Sequence, residues 1–250
     1  MRPDDEQIAR AEELRRLGEN RRARWVERCG MPPFERCRCG SPKLCPKCGR
    51  ERAARNAMIA RQAMDRFHGL PRFVTLTLPS PGPWRLSEGL DALGMAFTAL
   101  RLRASWKRMV CGGIAGVEPR LGRQQGNWTP HLHAILDSDR DGFSLESVSE
   151  SWGTLTEDRG AVLVDPMMGL DVISPAAACT YVTKSQDWCP APGALPLRAR
   201  ELLIRANRGR HVFLRWGSAR DRGASGGSPK FAGLRRAGPQ AGVMGSHRSD

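Results

Sequence analysis

Two hydrophobic periods take turns along the chain. Apolar residues that alternate with polar or β-branched ones predict strands, and repeats every three to four residues predict helices. The clearest strand is 73–78 (FVTLTL), which the turn-forming PSPGP stops. Positions 112–117 and 132–136 are apolar runs separated by a polar, glycine-containing stretch that ends at Pro130, so two strands joined by a long loop are expected; 161–164 and 211–216 add two more. Helices are expected at 4–27, with Glu6 and Arg10, and Glu12 and Arg16, one turn apart and a break near Gly18; and also at 86–109, 144–152 and 197–207. Another is expected at 51–67, where Ala54, Met58, Ile59 and Ala63 supply the apolar period and arginines the other face. In SPAAACTYVTK a helix start is marked twice, because Ser174 can cap free backbone N–H groups and Pro175 suits the first helical position.

Short strands interspersed with helices predict an α+β fold, a central mainly antiparallel sheet with flanking helices, preceded by a helical and cysteine-rich zinc-binding segment. Three regions are expected: 1–68 with the N-terminal helix, the cysteine-rich stretch and a basic helix; 69–216 as the catalytic domain; and 217–250 as a disordered basic tail of Gly, Ser, Pro and Arg.

Charge narrows the partner. Forty basic residues against 26 acidic ones give a formal charge of +14, which favours a polyanion and above all nucleic acid. No apolar run approaches the roughly 18 to 20 residues that cross a bilayer, and MRPDDEQIAR lacks the apolar core of a signal peptide. A cytoplasmic location without a membrane partner is the expectation. There thiols stay reduced, so RCRCGSPKLCPKCG reads as a structural Zn²⁺ site of Cys37, Cys39, Cys45 and Cys48, with Cys29 as a spare ligand and Gly40 and Gly49 permitting tight turns. Cys111, Cys179 and Cys189 read as buried small residues. Arg50, Arg52, Arg55 and Arg61 are expected to turn a charged helix face to DNA phosphates. Trp84, Trp106, Trp128, Trp152 and Trp188 could stack on bases, but most tryptophans pack, so none is assigned.

The chemistry is concentrated in TPHLHAIL. In a strand His131 and His133 point to one face while Leu132 points to the other, and Glu118, at the end of the preceding expected strand, would come alongside by antiparallel pairing. Two imidazoles and a carboxylate with open positions suit Mg²⁺ or Mn²⁺ polarising a phosphodiester. The chain has a single tyrosine, Tyr181, on the helix that Ser174 begins, with Lys184 three residues onward on the same face. A cationic neighbour and the metal's pull on the phosphate would both help a phenol whose ordinary pKa is near 10 to act as nucleophile.

FVTLTLPSP, then GVEP with TPHLHAIL, then YVTK, occur in the order and spacing of the three motifs of HUH endonucleases, and over 73–184 the chain resembles a plasmid or phage rolling-circle replication initiator. The resemblance implies an antiparallel sheet with the histidines on a middle strand. It also implies His131, His133 and Glu118 as metal ligands, Tyr181 as the nicking nucleophile, Lys184 as its assistant, and Thr75 and Thr77 on the strand that floors the site. Single-stranded or cruciform origin DNA is the implied substrate, with a 5'-phosphotyrosine intermediate and a free 3'-hydroxyl as the implied outcome. No GxxxxGK[ST] phosphate loop is present, so a host helicase and replication machinery are the expected partners, and a homodimer is possible. One departure stands out. Some relatives carry a second tyrosine or a carboxylate one turn from the nucleophile, but here those positions hold Ala177, Ala178 and Ser185, so another subunit's Tyr181 or an acid from elsewhere in the fold would have to serve. The same chemistry would fit a single-strand transposase or a relaxase, and a non-catalytic zinc-containing DNA-binding regulator is the alternative from another class.

Overall fold

The computed structural model describes residues 3–30, 38–122, 126–139, 141–165, 168–184, 188, 190–208 and 210–219. Five antiparallel strands form one sheet in the order β4-β1-β3-β2-β5: β1 is Leu70–Thr77, β2 Val110–Glu118, β3 His131–Ser138, β4 Ala161–Leu163 and β5 Phe213–Gly217. Among the described residues eight helices accompany them: α1 (Pro3–Arg16), α2 (Asn20–Glu27), α3 (Pro46–Met64), α4 (Leu86–Leu102), α5 (Ala104–Met109), α6 (Leu145–Thr156), α7 (Pro175–Thr183) and α8 (Leu197–Ala206). The expected helix over 86–109 is two helices, because Arg103 leaves the helical region (φ −63, ψ 140) between α4 and α5. The proposed tail begins at the end of β5, and its residues 220–250 lie outside the described ones.

Alternation along the central strands divides the molecule into two layers. Val74 and Leu76 of β1, Ala115 and Val117 of β2, and Leu132, Ala134 and Leu136 of β3 face the large core with Leu93, Phe97, Trp106, Trp152 and Leu203 of the helices. The opposite face carries Phe73, Ile114 and Ile135, and onto it pack α3 and α7 through Ala60, Ala63, Ala178, Cys179 and Val182. Tryptophans 106, 128, 152 and 188 are buried, and Trp152 Nε1 donates to the Thr77 carbonyl at 3.1 Å, so these rings pack. Cys179 is buried as expected, Cys111 is exposed on β2, and Cys189 is outside the described residues.

The register places the chemistry on the α3/α7 face. Strand β3 sits in the middle of the sheet, where His131 opposes Thr77 on one side and Glu118 on the other, and His133 opposes Thr75 and Gly116. Gly116 has a further role: a Cβ there would lie 1.8 Å from the Val182 carbonyl oxygen of α7. Only glycine lets α7 rest this close on β2, and that contact sets the height of Tyr181 above the histidines.

The N-terminal helices form a satellite layer. Ala11, Leu14, Ala23 and Val26 close around Cys29, Cys45 and Cys48, and Ile204 of α8 completes that cluster. The expected Glu6–Arg10 pair is absent. Arg10 is buried and bonds Glu13, whose other oxygen accepts from Arg200 Nε of α8 at 3.0 Å, while Glu6 pairs with Arg50 at 2.8 Å. Burying two guanidiniums is tolerable because the Glu13 carboxylate and the Pro190 and Ala191 carbonyls accept hydrogen bonds from them, although Arg10 Nε has no partner among the described residues.

Candidate active site and cysteine cluster

Glu118, His131 and His133 offer ligand atoms that all lie within 4.8 Å of one another. His133 is held from both sides: its Nδ1 is 2.8 Å from Thr75 Oγ1 and its Nε2 is 2.5 Å from Glu118 Oε2. The approach of Nε2 to the carboxylate puts the proton on Nε2, which donates to Glu118; a cation in this group would take that proton's place, while the Thr75 hydroxyl, able to donate or accept, holds the ring at Nδ1 in either state. Burial, above all, holds His131 down to about 4, so its ring is neutral at physiological pH. Glu118 is pushed up by burial, but hydrogen bonds from His133 and Lys184 outweigh this and hold it at about 2, ionised. Two imidazoles and one carboxylate are a donor set that fits a divalent cation. Thr77, opposite His131, is bonded instead to the Ala161 backbone of β4 and so ties the edge strand to the floor of the site.

Helix α7 brings the phenol over this group. Ser174 Oγ accepts from Ala177 N and Pro175 occupies the first turn, as the sequence predicts. The Tyr181 ring meets His133 edge-on with centroids 5.0 Å apart, and Phe73 closes the cluster at 5.6 Å from Tyr181. Lys184 caps α7 and does not extend it; its ammonium lies 4.3 Å over the Tyr181 ring and 2.9 Å from Glu118 Oε2. All five residues that the motifs single out, Glu118, His131, His133, Tyr181 and Lys184, therefore meet in one place.

One functional side chain escapes sequence reasoning. The Tyr181 hydroxyl donates to Asp165 Oδ2 at 2.9 Å, from the loop just past β4. Asp165 is oriented by its own backbone turn, with Oδ1 accepting from Met168 N at 3.1 Å and its carbonyl from Gly169 N at 2.8 Å. It is an acid from elsewhere in the fold, 16 residues from the tyrosine, and no local pattern announces it. It also changes the electrostatics expected of the phenol. Burial and the bond to Asp165 raise the Tyr181 pKa, and the lowering influence of Lys184 does not offset them.

The cysteine group is assembled from three pieces of chain: Cys29 after α2, Cys39 in the following loop, and Cys45 and Cys48 at the start of α3. The ligand set differs from the expected one in a single member, since Cys29 is among the four and Cys37 lies outside the described residues. Sulfur separations of 3.5 Å (Cys29–Cys48) and 3.6 Å (Cys39–Cys48) are close to the spacing of about 3.8 Å that a tetrahedral zinc with bonds near 2.3 Å imposes. The thiols are unequal: the hydrogen bond from Cys39 holds Cys45 down to about 6, and burial pushes Cys29 up to about 11. Gly40 takes a positive φ of 65° in the loop, whereas Gly49 is helical.

The four arginines of α3 do not make one face. At about 100° per residue they fall into two pairs on different sides of the helix, Arg50 with Arg61 and Arg52 with Arg55. Arg50 is engaged by Glu6 and Arg61 stands 3.8 Å from Asp65, whereas Arg52 and Arg55 are exposed without an ion pair among the described residues. Arg52 lines a cleft of roughly 200 Å³ with Lys43, Lys184, Arg210 and His211, next to the tyrosine. Of the expected apolar face of α3, Ala63 is buried and Ile59 half-buried, but Ala54 and Met58 are exposed; the rest of the buried side is Pro46, Cys48, Gly49 and Ala60.

The chain matches no family model, no curated protein and no solved structure. Among the described residues no helix is long and apolar enough to cross a membrane.

Proposed function

We propose that the chain is a metal-dependent DNA-nicking enzyme of the HUH endonuclease type, one that starts rolling-circle replication by cutting one strand at an origin. The observation that carries this reading is the meeting of the single tyrosine with the Glu118–His131–His133 group, ring against ring at 5.0 Å, under a lysine and against an acid. A histidine pair on a middle antiparallel strand, with its carboxylate on the neighbouring strand, also agrees with the architecture such enzymes use.

His131, His133 and Glu118 would hold Mg²⁺ or Mn²⁺. Such a cation polarises the scissile phosphodiester and takes up charge that develops on its oxygens. Tyr181 Oη attacks the phosphorus while Asp165 accepts the phenolic proton at Oδ2. The bond from phosphorus to the 3'-oxygen breaks, that oxygen leaves as a hydroxyl after taking a proton, and the 5'-phosphate remains on Tyr181. Lys184 places a positive charge beside the forming phosphotyrosine and keeps Glu118 ionised. Because one phosphate ester replaces another, a free 3'-hydroxyl can attack the phosphotyrosine and rejoin a strand. Cys29, Cys39, Cys45 and Cys48 would hold Zn²⁺ as a structural element, and a host helicase would open the duplex.

The test is a denaturing gel of the protein incubated with single-stranded origin DNA and Mn²⁺. The wild type should leave a covalent protein–DNA adduct, and Tyr181→Phe should lose the adduct yet still bind the DNA. A wild type that binds DNA but never forms an adduct would leave the zinc-containing regulator as the reading. Transposase or relaxase activity would give the same adduct with a different target.

A further inference from the structure

Helix α2 carries a second feature that the active site does not use. Its inner side, Ala23 and Val26, is buried over the cysteine group, and its outer side presents Arg21, Arg24, Trp25 and Arg28 at successive turn positions. Trp25 is 58% exposed, whereas the tryptophans at 106, 128, 152, 188 and 216 are all buried. A solvent-facing indole loses the stabilisation that burial of its large apolar surface would give, so its exposure among charges points to a role outside packing. The stripe forms one wall of a groove of roughly 480 Å³; Cys29 and Cys39 contribute its floor and Arg38 the far side. No carboxylate lines this groove among the described residues; Glu27 pairs with Arg15 and Glu19 with Arg22 and Arg208, while Glu51 pairs with the groove's own Arg38, so the arginines of the stripe are the ones offered to a polyanion.

We propose that this groove is a binding site for single-stranded nucleic acid, in which a base stacks on Trp25 and the flanking phosphates meet Arg21, Arg24 and Arg28. Arginine pairs with phosphate oxygens in a planar fork, and one flat aromatic between guanidiniums serves any base without reading its sequence. An anionic membrane is the less suitable partner, because among the described residues Trp25 is the only apolar side chain on the stripe. The site shares its class of partner with the nickase reading but none of its chemistry. It would give the enzyme a second grip on the strand, located on the cysteine module.

Fluorescence anisotropy of the full chain on labelled single-stranded oligothymidylate tests this, in a Tyr181→Phe background so that covalent capture contributes nothing. Vesicles of phosphatidylcholine and phosphatidylserine form a parallel arm. Trp25→Ala should weaken oligonucleotide binding about 10-fold, and Trp25→Phe should recover most of it. The double variant Arg21→Gln, Arg24→Gln should lower the slope of log Kd against log salt by about 1.4, or ~0.7 per lost phosphate contact. Unchanged zinc content and circular dichroism establish that the variants fold. Wild-type affinity in Trp25→Ala, or capture of the chain by vesicles and not by the oligonucleotide, would overturn the proposal. Adduct formation by the Tyr181 protein is measured separately: adduct with no effect of Trp25→Ala sinks the groove and spares the nickase, and loss of binding in Trp25→Ala without any adduct does the reverse.

Discussion

The two ligand groups of this protein are built in opposite ways. Glu118, His131 and His133 stand on hydrogen-bonded neighbours of a five-stranded sheet, so backbone pairing fixes their spacing before any ligand arrives. Cys29, Cys39, Cys45 and Cys48 come from a helix end, a loop and a helix start, and around them the small cluster offers only a few apolar side chains. The sheet group is therefore organised by the fold, whereas the cysteine group organises its part of the fold when a cation joins its thiolates. Under the proposed function, a metal at the first would serve chemistry and a metal at the second would serve stability.

That contrast is sharpened most by taking metal away. Stripping zinc with a strong chelator, or Cys45→Ser, should release the N-terminal layer, because apparent zinc binding to such thiolate sites is worth on the order of 10 kcal/mol. Hydrogen exchange should then become fast in 38–48 and in α2 while β1, β2 and β3 stay protected; equal loss in both regions would break the comparison. The opposite result is expected at the sheet. Glu118→Gln should leave the thermal midpoint within a few degrees of wild type but reduce the rate of adduct formation roughly 10³-fold, with weaker Mn²⁺ binding in calorimetry.

Gly116→Ala is the subtler probe, since it removes no reacting group. A methyl group 1.8 Å from the Val182 carbonyl must push α7 outward, and a displacement of about 1 Å at the nucleophile can cost about 10²-fold in rate. The expected signature is a slow enzyme with normal Mn²⁺ affinity. Asp165→Asn should slow adduct formation about as much, or somewhat less, by removing the acceptor of the phenolic proton. Its pH dependence is the informative readout. Burial and Asp165 hold the Tyr181 pKa above its ordinary value, so without an acceptor the rate should follow the phenolate fraction, rising about tenfold per pH unit through the neutral and mildly alkaline range. The wild type should be flatter over that range.

What could be read from the sequence is what depends on local period. The alternation HLH places two imidazoles on one face wherever the strand lies, and Ser174 with Pro175 starts α7 in the register that aims Tyr181. Glu118 was legible because an antiparallel pair brings the end of one strand beside the beginning of the next. Asp165 was not, because only the path of the loop after β4 brings it to the phenol. Cys29 was visible as a spare ligand, but its place among the four depends on how α2 packs against α3. The buried side of α3 is legible only at Ala63, because it is built largely from alanine and glycine, which carry little periodic signal, while the exposed side includes Met58. Arg10 bonds Glu13 and not the expected Glu6 for the same kind of reason: Arg200, which also holds Glu13, lies 187 residues away from it.

The central claim is that the Tyr181 oxygen becomes the one covalent link to the cut strand. Mass spectrometry of the tryptic peptides after reaction with single-stranded origin DNA and Mn²⁺, followed by nuclease trimming, measures this directly. The account predicts a nucleotide joined through its 5'-phosphate to Tyr181 and to no other residue. A cut strand with the label on another side chain, or with a free 5'-phosphate and an unmodified Tyr181 at every time point, would contradict it.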